Sequence, residues 1–117
     1  MSVQEIKDED YCVRYDTDTV TVKFQGELAL GGPKEYAPIN TLLQDVANHD
    51  PEVMTIDLKE LAFLNSSGIS MISKFVLSLR KKKTVQLVVL GSRNMPWQGK
   101  SLKNLPKFLP SLKLEVE

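Results

Sequence analysis

The chain has 117 residues, 42% of them hydrophobic and 26% charged, with a mean hydropathy of −0.18 and fifteen Lys and Arg balanced by fifteen Asp and Glu. That suffices for one packed core and not for two, so a single domain over residues 1–117 is expected. The composition excludes disordered and membrane-spanning classes. The lone Cys12 and lone His49 exclude an internal disulfide and a Cys/His metal site, so no metal or cofactor is expected.

In chain order, residues 1–10 read as a loosely ordered acidic lead-in ending in Asp8-Glu9-Asp10. They lack the basic start and apolar run of a secretory leader, which predicts a cytoplasmic location. Residues 11–15 alternate weakly and residues 19–24 clearly, with Val20, Val22 and Phe24 on one face. The pair reads as two antiparallel strands joined by the turn-prone Asp16-Thr17-Asp18. Gly26 is expected to end the second strand, and Gly31-Gly32-Pro33 breaks the chain before Ile39, Leu42, Leu43, Val46 and Ala47 recur at helical spacing. Residues 53–58 read as a third strand, with Lys59-Glu60-Leu61 as a link. Ile69, Ile72, Val76 and Leu79, with Phe75 beside them, give a second amphipathic helix. Residues 85–90 form a short apolar strand, residues from Gln98 a third helix shortened or kinked by Pro106 and Pro110, and residues 112–116 an edge strand. The order strand, strand, helix, strand, helix, strand, helix, strand predicts an α/β fold: a mixed sheet of about five strands covered by three or more helices.

Charge is unevenly placed. Residues 1–60 hold thirteen carboxylates against five Lys and Arg, and residues 61–117 hold two against ten. The one dense basic run, Arg80-Lys81-Lys82-Lys83, falls where the second helix should end and suits its macrodipole. The other cations are scattered, so neither nucleic acid nor membrane is expected as a partner.

Two enzyme-like patterns are incomplete, and they support only a low-weight alternative reading as a small nucleotide-binding protein or hydrolase. Gly99-Lys100-Ser101 imitates the end of a phosphate-binding loop, but Asn94 stands where the upstream glycine must be. Ser66 or Ser67 on a strand-to-helix turn imitates a hydrolase nucleophile, but Leu64 replaces the upstream glycine. The only imidazole, His49, belongs to the far end of the first helix, and without a base a serine is a weak nucleophile. No catalytic residue is therefore assigned. Trp97 lies in a polar loop, where its ring could pin the loop or meet a partner.

Asn65-Ser66-Ser67-Gly68 begins the second helix. Asn and Ser are preferred caps, because their side-chain oxygens accept from first-turn N–H groups. A cap accounts for one such residue, not for two serines at an exposed helix start, where a phosphate would be favoured by the dipole and free N–H groups.

Ile56-Asp57-Leu58 followed by Phe63-Leu64-Asn65-Ser66-Ser67-Gly68-Ile69 resembles the phosphorylation segment of STAS domains, which include bacterial anti-sigma factor antagonists. Gly26-Glu27-Leu28 resembles the family's second-strand motif, and the element order extends the resemblance over nearly the whole chain. It implies a non-catalytic regulator of transcription or signalling. Its partner would be an anti-sigma factor or serine kinase, with a phosphatase as a second partner and Ser67 as the regulated site. Asn65, Ser66, Gly68, Ile69, Glu27 and Ala29 would form or support the partner-binding surface. Phosphorylated members usually carry aspartate at the positions of Asn65 and Ala29. The alternative is thus a STAS-like scaffold or interaction subunit that is not phosphorylated.

Overall fold

The computed structural model describes residues 4–117. Six strands, β1 (Glu5–Lys7), β2 (Tyr11–Asp16), β3 (Thr21–Leu28), β4 (Val53–Leu64), β5 (Gln86–Gly91) and β6 (Lys113–Val116), lie side by side in chain order in one sheet. The first three pair antiparallel and the rest parallel. Parallel neighbours cannot be joined by a tight turn, so each such step carries helix. These are α1 (Pro33–Asn48), α2 (Ser66–Ser78) with a 3₁₀ turn at Leu79–Lys81, and α3 (Gln98–Ser101) with α4 (Leu105–Phe108), bridged by a 3₁₀ turn at Leu102–Asn104.

The core forms between one face of the sheet and the helices. Val22 and Phe24 of β3, Met54, Ile56 and Leu58 of β4, and Leu87 and Val89 of β5 are fully buried against Ile39, Leu42 and Leu43 of α1 and Ile72, Phe75 and Val76 of α2. Their periods of two and about 3.6 are the ones read from sequence. The alternate strand positions, among them Lys23, Gln25, Thr55, Val88 and Leu90, are half-buried on the other face. Ion pairs lace that face: Glu5 with Arg14 at 2.9 Å and Lys23 with Glu60 at 2.7 Å.

Several expectations are corrected. The sheet has six strands, not five: Glu5–Lys7 pairs with β2 through Glu5–Arg14, Ile6–Val13 and Lys7–Cys12, where a loose lead-in was expected. Three residues with one apolar side chain are too few to establish a period, so only pairing reveals this strand. Residues 1–3 of that lead-in lie outside the described residues. Gly26 does not end β3. It lies within the strand at φ +88°, and a Cβ there would sit 2.2 Å from the Asp10 carbonyl oxygen. Lys59-Glu60-Leu61 is not a link either, because β4 continues to Leu64. Register shifts on β4 near Lys59 and near Ala62 break the period of two, which hides the strand from pattern reading. The third helical stretch is broken into α3, the 3₁₀ turn and α4, as the prolines suggested.

Candidate functional site

The carboxyl ends of β3 and β4 lie side by side, with Glu27 paired to Phe63 and Leu28 to Leu64. Because the two strands are parallel, the segments that follow them emerge at the same end of the sheet. From them the chain leaves into the loop 29–32 and into α2, and one network ties the two together. Asn65 caps α2: its Oδ1 accepts from the Gly68 N–H at 3.0 Å. The same oxygen accepts from the Tyr36 hydroxyl at 2.6 Å, and Asn65 Nδ2 donates to the Leu30 carbonyl at 2.8 Å. The Leu30 N–H completes the ring by donating to Tyr36 at 3.4 Å. Burial of Tyr36 pushes its hydroxyl above the ordinary value of 10.0, opposed by the Leu30 N–H bond, so it stays protonated and able to donate.

Gly68 is buried where α2 passes Leu64 and Tyr36. A Cβ there would sit 2.3 Å from Leu64 Cδ1 and 2.7 Å from the Tyr36 hydroxyl. The glycine of the motif thus serves close approach, not a left-handed turn. With Asn65 as cap, Ser66 and Ser67 are the first and second residues of the helix, and their N–H groups have no acceptor within it. Ser66 is exposed and Ser67 half-buried. Ser67 lines a groove of about 200 Å³ between α1 and α2 with Pro33, Ala37, Asn40, Ser70 and Lys74. Ile69, half-buried, points to the other side of α2, toward α3 and α4.

The structure therefore brings Asn65, Ser66, Ser67, Gly68 and Ile69 together with the exposed Glu27 and Ala29 at one end of the sheet. Sequence reading missed Tyr36, whose spacing marks it only as a core residue, and Phe63, which remains 45% exposed beside Glu27. His49 caps the far end of α1, whereas Ser67 shares a groove with Pro33 at the start of that helix, so a helix about 24 Å long stands between them. His49 Nδ1 meets the Asp45 carbonyl oxygen at 2.7 Å. It is in no position to activate either serine. Gly99-Lys100-Ser101 lies within α3 and forms no phosphate-wrapping loop. Trp97 pins its loop to the sheet by donating from Nε1 to the Leu61 carbonyl at 2.8 Å.

No family model matches the chain, and no curated protein sequence matches it. Solved structures do. SiaC of Pseudomonas aeruginosa superposes with a TM-score of 0.64 at 16% identity, over 99% of this chain and 96% of that one. A chain in the crystal structure of the diguanylate cyclase SiaD in complex with its activator SiaC, from the same organism, matches with a TM-score of 0.64 at 14% identity, over 97% and 98% of the two chains. At these identities the likeness is one of fold. It agrees with the STAS-like α/β architecture, and it carries no residue-level equivalence.

Proposed function

We propose that this chain is a non-catalytic regulator that acts by binding a partner protein through the start of α2 and the neighbouring ends of β3 and β4, with phosphorylation of Ser67 as its control. The observation that carries the reading is the placement of Ser67. It is the second residue of a capped helix and lines a surface groove, and the cap's own oxygen is already occupied by Gly68 and Tyr36. A phosphate there would gain from the helix dipole and the free N–H groups, and would place about two negative charges on the docking surface. The fold likeness to SiaC, which is described as activating the enzyme it is bound to, supports a protein partner. The STAS resemblance narrows that partner to an anti-sigma factor or serine kinase, with a phosphatase resetting Ser67. The SiaC likeness widens it to an enzyme switched on by the bound regulator. Asn65 in place of an aspartate does not remove the hydroxyl, and its amide nitrogen has a structural use at Leu30.

Mass spectrometry of the full chain from its own cells should find phosphate on Ser67. A partner co-purified with the wild type should be retained by Ser67→Ala and weakened by about tenfold or more in Ser67→Glu. Unchanged affinity of a folded Ser67→Glu variant would refute the control by charge.

A further inference from the structure

On the flank of α2 away from Ser67 lies a second, wider groove of about 430 Å³, formed between α2 and the α3–α4 segment. One wall carries Ile69 and Ser73, one helical turn apart. The other carries Lys100, Asn104 and Lys107, spaced so that they share one face of the broken helix. Phe108, half-buried, closes the end. It is held there by Arg80, whose guanidinium donates to the carbonyls of Phe108 and Lys107. Two half-buried apolar side chains thus line the groove together with two exposed lysines.

The charge around this groove is one-sided for a reason visible in the chain. Residues 61–114 contain ten Lys and Arg and no carboxylate at all, and both walls come from that stretch. Because the strands follow chain order across the sheet, the cation-rich half of the sequence is also one half of the molecule. Neither Lys100 nor Lys107 forms an ion pair with any described residue, whereas Lys23, Lys59, Lys82 and Lys113 do. Unpaired cations beside half-buried apolar side chains are complementary to an acidic segment with an apolar stripe.

We propose that this groove docks an acidic amphipathic segment of the partner protein, with its apolar side on Ile69 and Phe108 and its carboxylates on Lys100 and Lys107. The inference rests on the reading of the chain as a protein-binding regulator and adds the chemistry of what it binds. A protein segment fits better than a polyanionic nucleic acid or a lipid surface. Nucleic acid would need a longer track of cations, and a membrane a wider basic face, than the two lysines that line this groove supply.

The test uses the full chain and a synthetic helical peptide with a leucine stripe flanked by glutamates, followed by backbone amide NMR and fluorescence anisotropy. Binding should shift Ile69, Ser73, Asn104 and Phe108. It should weaken with added salt, and fall at least about tenfold in the Lys100→Glu/Lys107→Glu variant, whose surface positions leave the fold intact by circular dichroism. Ser67→Glu, which lies on the other flank, should change the peptide affinity by less than about threefold, so that loss of the switch and loss of the groove are told apart. The proposal is overturned if a lysine-flanked counterpart binds as well, or if the double variant binds the glutamate peptide like wild type. It is also overturned if phosphatidylglycerol vesicles or an oligonucleotide, and not the peptide, bind in a Lys100- and Lys107-dependent way.

Discussion

Asn65 does two jobs with one amide: its oxygen caps α2, and its nitrogen holds the Leu30 loop. Aspartate could do the first and not the second. Asn65→Asp should keep the cap but set two oxygens against each other where Nδ2 now meets Leu30 at 2.8 Å, lowering stability by about 1–2 kcal/mol in urea denaturation. An Asn65→Asp variant as stable as wild type would remove the latch from the account. Two carboxylates on the open face give a pH dependence of known sign. Hydrogen bonding from Arg14 holds Glu5 below its ordinary 4.5, and hydrogen bonds from Lys23 and then Gln25 do the same for Glu60. Groups with depressed folded values contribute stability that is present above the unfolded value and lost as pH falls through the folded one. Stability should therefore fall below about pH 4.5, and Glu5→Gln/Glu60→Gln should flatten that acid limb, measured as the denaturation midpoint against pH. Both side chains face water, so the effect is small.

Between elements, contact is set by side chains that alternation and helical spacing do not reveal. Gly68 lets α2 close on Leu64 and Tyr36. Gly68→Ala should destabilise by about 1–3 kcal/mol although alanine is the better helix former, because a Cβ would lie 2.3 Å from Leu64. A gain in melting temperature would contradict that close approach. Gln98 is buried and joins three segments: Nε2 donates to the carbonyls of Leu58 at 2.7 Å and Leu61 at 3.3 Å, and Oε1 accepts from the Ser92 N–H at 2.7 Å. Leu58 and Leu61 lie within the irregular part of β4, so Gln98 ties that stretch to the segment after β5. Gln98→Leu keeps the volume and strands these polar groups, with an expected loss of about 3 kcal/mol in thermal or urea unfolding. In sequence this glutamine is one polar residue at the start of a short helix, and nothing in its neighbours marks it as buried.

For the molecule as a whole, sheet order turns a gradient along the chain into a gradient in space. The acidic first half supplies β1 to β3 and α1, and the basic second half supplies α2, β5, β6 and the α3–α4 wall. The central strands β3 and β4 are covered on one face by α1 and α2 and paired on both edges, whereas β1 is three residues at an open edge. Hydrogen exchange should be slowest at the amides of Val22, Phe24, Ile56 and Leu58, and far faster in Glu5–Lys7. Comparable protection at β1 and β4 would mean that the edge is covered by something outside the described chain.

The periodicities of β2, β3, β5 and both long helices, the broken third helix and the cap at Asn65 were legible in the chain, because a buried face must repeat at two or at about 3.6 residues. So was the candidate site segment, since cap chemistry and the paired serines are local. The true lengths of β3 and β4, the strand Glu5–Lys7, the Tyr36–Asn65–Leu30 latch, the burial of Gln98 and the meeting of Ile69 with Lys100 and Lys107 were decided only by the tertiary structure. Each depends on groups far apart in sequence, or on a bulge that suspends the local period, and pairing partners satisfy hydrogen bonds that no window of neighbouring residues contains.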